Sequence, residues 1–269
     1  MTTSYNIDDV LRIMERLRDP LHGCPWDQAQ DFQSIVPSTL EECYELAAAI
    51  EAHDYPHVAD ELGDVLFQVV FYAQLGAEQG YFSFGEVVQN LAEKLLRRHP
   101  HVFRDGLIEG VVHEKTEVAA VKKSWESIKA QERAGKAQHG TLDDVPRNLP
   151  ALPRAQKLQK RAARVGFDWP ATEPVFDKLD EELGELREAL LLGDQDAIED
   201  ELGDLLFTVV NLARHQRVDA EAALRRASLK FERRFRTMES AAVDDGRSLD
   251  GMTATEFESR WKAAKAEES

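Results

Sequence analysis

What the chain has little of narrows its possibilities first. Only two cysteines, Cys24 and Cys43, occur in 269 residues. That is too few for a disulfide framework, and they lack the paired CxxC spacing of a zinc site, so both read as reduced packing residues. No apolar run approaches the roughly 18 residues that span a bilayer, and no charged-then-apolar leader opens the chain; the expectation is a soluble, unexported, cytoplasmic protein. Basic residues are outnumbered: 33 Lys and Arg stand against 50 Asp and Glu, a net charge of −17. This excess repels phosphate backbones and anionic lipid, which disfavours nucleic-acid polymers and membrane surfaces as partners. A small anionic ligand would need cations to bind. No GxxxxGK(S/T), GxGxxG or GxSxG segment is present, which disfavours P-loop, Rossmann and serine-hydrolase readings. Alternating strand patterns are missing too, while apolar residues recur at helical spacing almost throughout, so the chain reads as all-α.

What is present is one acidic pattern written twice. Glu41-Glu42-Cys43-Tyr44-Glu45 is followed by Asp60-Glu61-Leu62-Gly63-Asp64, and Glu181-Glu182-Leu183-Gly184-Glu185 by Asp200-Glu201-Leu202-Gly203-Asp204. Glu42 and Glu61 are 19 positions apart, as are Glu182 and Glu201. Between Asp60–Ala73 and Asp200–Ala213, 10 of 14 positions are identical at a constant offset of 140. An internal duplication follows, and it points to two tandem helical-bundle repeats. The first occupies residues 1–134, with helices over 7–17, 38–52, 56–79, 84–98 and 114–134. A linker spans 135–153, marked by Gly140, Pro146, Pro150 and Pro153. The second occupies 154–269, with helices over 154–164, 173–192, 194–216, 219–241 and 254–267.

Helical geometry then sorts the acids. At 100° per residue, Leu179, Leu183, Leu186 and Leu190 form a core stripe with Glu182 flanking it. Glu185, three residues on, lies within contact distance of Glu182, whereas Glu181 points away from the core. Glu201 and Asp204 repeat the i, i+3 spacing on the next helix, and a short turn can face the two pairs toward each other. Two like charges about 5 Å apart, at an effective dielectric near 20, repel by roughly 3 kcal/mol. Either protons or a hard divalent cation must offset that. All-oxygen ligation suits Mg²⁺, or Mn²⁺, better than zinc. The glycine of each DELGD segment agrees, since a glycine inside a helix costs about 1 kcal/mol relative to Ala and marks close packing or a site. A solvated acidic face is the plain alternative, but the fixed spacing of the two copies favours the metal.

Cations follow each quartet. Lys94, Arg97 and Arg98 share one helix face in the first copy, and Lys230, Arg233 and Arg234 share one in the second. Such a face suits a polyphosphate, though it also suits a helix end complementing its macrodipole. Trp125 and Lys129 lie 31 and 35 residues after Lys94, as Trp261 and Lys265 do after Lys230. Each Trp can stack on a base or anchor the last helix. His99-Pro100-His101 sits where a helix must stop. The segments around Trp26 and around Phe167-Asp168-Trp169 fit both a base pocket and turn chemistry.

EExxE, then ExxD, then a Lys/Arg helix, then a late Trp closely resemble the MazG-type nucleoside triphosphate pyrophosphohydrolases. The likeness covers both halves and includes GCPWD, ELGDVLFQVVFYAQ, RRHPHVF and VGFDW. The resemblance implies an all-α enzyme, usually a dimer, which with Mg²⁺ hydrolyses nucleoside triphosphates between the α and β phosphates to a monophosphate and pyrophosphate. It implies that Glu182, Glu185, Glu201 and Asp204 are metal ligands. Lys178, Glu181, Lys230, Arg233, Arg234, Trp261 and Lys265 are then nucleotide contacts. Apart from the resemblance, in-line attack by water calls for a carboxylate as general base, and Glu182 or Glu185 is the candidate. Glu42, Glu45, Glu61 and Asp64, with Lys94, Arg97, Arg98, Trp125 and Lys129, are the first-copy equivalents. The second copy is the one usually credited with activity, yet the first keeps every carboxylate and departs at Ser38, where the second has Lys178. The competing readings are a non-catalytic acidic adaptor, a di-iron bundle disfavoured by the missing histidines, and a hydrolase restricted to one nucleotide.

Overall fold

A computed structural model describes residues 4–112, 116–134, 140–143 and 145–268. Of the expected linker, residues 135–139 and 144 lie outside that set. The described residues form helices with no strand, apart from one isolated bridge between Phe103 and Val111. The helices are α1 (Ile7–Leu17), α2 (Pro25–Gln28), α3 (Val36–Glu51), α4 (Tyr55–Glu78), α5 (Phe84–Arg98), α6 (Val118–Ala134), α7 (Ala151–Arg164), α8 (Glu173–Leu192), α9 (Gln195–His215), α10 (Ala220–Asp244) and α11 (Ala254–Glu267). The chain divides into two compact units, residues 1–131 and 132–269. None of the described helices is long and apolar enough to cross a membrane.

Each unit is organised around one helical hairpin, α3 with α4 in the first and α8 with α9 in the second. The hairpins turn at equivalent residues in the left-handed region, His53 (φ 57°) and Gly193 (φ 70°). Glycine adopts that conformation at little cost, and histidine is among the side chains that tolerate it. In the first unit α1 packs across α4, burying Met14, Ile35, Val70, Phe71 and Leu75 together. Arg18 lies over the Phe71 ring, 5.3 Å from its centroid, and pairs with Glu78 at 2.7 Å. In the second unit α7 packs on α9, and Gln159 Nε2 donates to the Phe207 carbonyl at 2.8 Å. Gln156 likewise donates to the Val218 carbonyl at 3.0 Å. The position of Phe71 is taken by Asn211, whose Oδ1 accepts from Arg214.

Several helix ends differ from the sequence expectation: α3 begins two residues early, at Val36, α6 begins at Val118 where 114 was expected, and α10 runs three residues further, to Asp244. Helix α7 starts at Ala151, three residues early, because Pro153 lies in its first turn, where a missing N–H is no loss. Helix α2 was absent from the expectation; it is a single turn begun by Pro25.

Candidate active site

The hairpin of each unit gathers carboxylates from the middle of its first helix, α3 or α8, and from the first half of its second, α4 or α9. On α8 the fully buried positions are Val175, Glu182 and Ala189, spaced seven residues apart. The matching line on α3 runs through Ile35, Glu42 and Ala49, where Glu42 is half-buried. This corrects the leucine stripe expected for α8: Leu179, Leu183 and Leu186 are half-buried, Leu190 is exposed, and Glu182 sits on the buried line instead of beside it. Small residues at Val175 and Ala189 let α9 approach closely, and that approach covers Glu182.

In the second unit one oxygen each of Glu182, Glu201 and Asp204 lie within 4.8 Å of one another; in the first unit the same holds for Glu42, Glu45 and Glu61. Each group therefore unites three of the four expected carboxylates. Glu185 falls outside the tight set in the second unit, and Asp64 in the first. Both remain close enough to act electrostatically. Glu201 is held above the ordinary carboxylate range by its desolvation and then by the charges of Glu185, Glu182, Asp204 and Asp200. Glu42 is raised in the same way, by desolvation and then by Asp64, Glu45, Glu61 and Glu41. Three crowded oxygens suit a hard divalent cation.

The buried glutamates have different neighbours. Lys178 Nζ lies 2.6 Å from Glu182 Oε1 and 2.7 Å from Glu181 Oε1. The two carboxylates hold its ammonium well above the ordinary lysine range, the Glu181 hydrogen bond first. Glu181 itself faces outward, as its helical position requires. In the first unit His57 Nε2 meets Glu61 Oε1 at 2.6 Å, while Glu61 Oε2 is buried with no hydrogen-bond partner. His57 was not singled out in the sequence; the i, i+4 spacing to Glu61 is the signal that identifies it.

The glycines of the two DELGD segments are not explained by packing within the chain. A Cβ at Gly63 or Gly203 would meet no atom within 4 Å. They lie instead on an open apolar face, with Leu62, Leu66 and Val69 exposed on α4 and Leu202, Leu206 and Val209 exposed on α9.

On α10, Lys230 and Arg233 are exposed and Arg234 is half-buried. Arg234 Nε pairs with Glu268 at 2.6 Å and stands over the Trp261 ring, 5.9 Å from its centroid. Trp261 rests on Phe231 at 5.3 Å between centroids, which anchors α11. In the first unit Trp125 instead meets His99, at 5.6 Å. His99 Nδ1 is 2.7 Å from the Leu95 carbonyl, so this imidazole caps the end of α5. Lys94 is half-buried on α5, Arg97 and Arg98 on the same helix and Lys265 on α11 all have interaction partners, and the Lys129 side chain lies outside the described ones.

Sequence reasoning did not foresee the clamp at the start of the second unit. Asp168 accepts two hydrogen bonds from Arg214, one of them at 3.0 Å from Nη1, and lies 3.1 Å from His215 Nε2. The Arg214 guanidinium beside it, with His215, holds the Asp168 carboxyl below its ordinary range. The Phe167–Trp169 turn also walls a cavity of about 550 Å³ shared with Phe207, Asn211 and Arg214. Phe207 lies one helical turn along α9 from Asp204.

Comparison with known proteins decides the family. The model of the MazG nucleotide pyrophosphohydrolase domain matches residues 30–103 and 172–238, one segment on each hairpin. The chain belongs to the MazG family. A nucleoside triphosphate pyrophosphohydrolase of Escherichia coli strain K12 is 51% identical over 97% of this chain and 98% of its own length. The nucleoside triphosphate pyrophosphohydrolase/pyrophosphatase MazG of Thermotoga maritima is 43% identical over 96% of this chain and 95% of its own. The uncharacterized protein YabN of Bacillus subtilis is 41% identical over 95% of this chain and 51% of its own length. Both MazG segments contain a complete EExxE and DELGD pair, so the family match and the duplicated carboxylates fall on the same residues.

Proposed function

We propose that this MazG-family enzyme hydrolyses nucleoside triphosphates between the α and β phosphates, releasing pyrophosphate, with Mg²⁺ or Mn²⁺ held on the second unit. The observation that carries the reading is the set of three carboxylate oxygens from Glu182, Glu201 and Asp204 within 4.8 Å of one another. Near-full-length similarity to enzymes named for this activity supports the substrate class. A divalent ion at this position would supply charge neutralisation on the phosphates and lower the pKa of bound water.

The chain's own residues take complementary roles. Glu185, exposed and outside the tight set, remains available to accept a proton from the attacking water, which makes it the better placed of the two candidate bases. Glu182, Glu201 and Asp204 hold the ion. Lys178 turns from Glu182 to the phosphates, and Lys230, Arg233 and Arg234 receive the charge of the departing pyrophosphate. Glu181 keeps Lys178 in reach. Pyrophosphate release measured over a panel of common and deaminated triphosphates tests the reading, and absence of release from every one of them would sink it.

The raised carboxylates add a pH dependence. A carboxyl whose folded-state pKa is raised favours the native state while protonated, and this contribution is lost as pH rises through the folded value. Metal-free protein thus loses stability from Glu201 and Glu42 on going above the carboxylate range, and a cation replaces the missing protons, at Glu201 together with nucleotide. Mg²⁺ with a non-hydrolysable triphosphate analogue should raise Tm more at pH 7.5 than at pH 5; an equal shift at both would contradict the site.

We also propose a homodimer formed through the apolar face of the hairpins. Leu62, Leu66, Leu202 and Leu206 are exposed in the single chain beside glycines that leave room for a second helix. Leu206→Asp should shift the sedimenting species toward single-chain mass. Wild-type protein already sedimenting as one chain would contradict the dimer.

A further inference from the structure

We infer that the two carboxylate clusters load differently: the one on α3 and α4 takes a divalent cation from solution without nucleotide, and the one on α8 and α9 takes its cation only together with nucleotide. The second half of this inference rests on the proposed function, which supplies the anion that draws Lys178 away.

The difference lies in which positive charge already occupies each cluster. In the second unit Lys178 stands against Glu182 and Glu181 at 2.6 and 2.7 Å, so an entering ion competes with a permanent cation for the buried glutamate. Lys178 is two-thirds buried, its side chain 32% exposed. Displacing it without a new anionic partner leaves a two-thirds-buried ammonium with the exposed Glu181 alone, in place of two carboxylates, which is costly. A phosphate arriving with the ion removes that cost, so metal and nucleotide bind with positive coupling.

The first unit has no such competitor at the matching position, which is Ser38. Its buried carboxylate is Glu61, on the other helix, with a side chain only 8% exposed. One oxygen of Glu61 meets His57, and the other is buried without any partner. A buried acceptor left unsatisfied costs free energy that a cation would recover. Oxygens of Glu42 and Glu45 lie within 4.8 Å of a Glu61 oxygen, completing a hard donor set. His57 grips Glu61 from outside that set and orients the carboxylate, as outer partners of metal ligands do. The second copy has Ala197 at this position, so the orienting imidazole belongs to the first unit alone.

Full-length protein titrated with Mn²⁺, with free ion followed by its electron paramagnetic resonance signal, tests the assignment. Without nucleotide, wild type should show one class of site. Glu61→Gln should weaken it by about 100-fold, and Glu201→Gln should leave it intact. Lys178→Ala should add a second class without nucleotide, a gain that misfolding would not produce. A non-hydrolysable triphosphate analogue should add that class to wild type and not to Glu201→Gln; circular dichroism confirms that each variant is folded. Uptake insensitive to Glu61→Gln, or both clusters loading in nucleotide-free wild type, would overturn the inference. Pyrophosphate release alongside Glu61-insensitive uptake would remove the inference and leave the proposed function standing. Normal Glu61-dependent uptake with no release from any triphosphate would remove the proposed function and the nucleotide-coupled half together.

Discussion

Glu201→Gln should lower pyrophosphate release by about 10³-fold while raising the melting temperature of the metal-free protein. The substitution keeps shape and volume, so the packing of α9 against α8 is preserved. It removes one charge from three oxygens lying within 4.8 Å of one another. Losing a group that stabilises developing charge costs about 10² to 10³ in rate, and losing an ion ligand at the same position puts the effect at the upper end. The stability change has the opposite sign. Glu201 is held above its ordinary range by desolvation and by Glu185, Glu182, Asp204 and Asp200, so its ionised form opposes folding near neutral pH. A neutral amide relieves that repulsion. Activity loss accompanied by a lower metal-free melting temperature would mean that Glu201 is structural, and the proposed site would fail. The expected pairing, less active and more stable, is the trade-off of a site whose charges are placed for a ligand.

Phe71→Ala should destabilise the first unit by about 4 kcal/mol, as read by urea unfolding followed by circular dichroism. Phe71 is fully buried, packed with Met14, Ile35, Val70 and Leu75, and edge-on to Phe67 at 5.8 Å between centroids. Removing the ring also exposes the underside of Arg18, which lies over it. Domain stabilities are typically 5 to 15 kcal/mol, so the change would consume much of the total and unfold the first unit well before the second. A loss below about 1 kcal/mol would show that the α1–α4 contact is not the centre of that unit. The second unit places Asn211 here and ties it to Arg214, so its stability depends more on hydrogen bonds and on the Asp168 clamp.

Much of this was legible without coordinates because a helix is a local structure. Its period places Glu182 beside Glu185 and Glu201 beside Asp204 from spacing alone, and it turns Glu181 outward. The termini of α1, α5, α8 and α11 follow from their apolar periodicity and capping residues, such as Ser83 with Glu86 and Thr253 with Glu256. The same reasoning misplaced the core stripe of α8. Leucines mark hydrophobicity, but the buried line follows whichever side allows closest approach, and there it runs through Val175 and Ala189. The Asp168–Arg214 clamp was equally hidden, since its partners are 46 residues apart and no period links them.

By itself, the sequence determined that two similar helical units exist, that each carries an EExxE and a DELGD segment at fixed spacing, and which side chains share a helix face. These follow from duplication and from the 3.6-residue turn, which need no knowledge of neighbours. Only the tertiary structure decided which three carboxylates of each quartet meet, that Lys178 lies on Glu182 while His57 lies on Glu61, and that one Glu61 oxygen is left without a partner. Those depend on the distance and rotation between packed helices. Both are set by the sizes of side chains far apart in the chain, which no local repeat encodes.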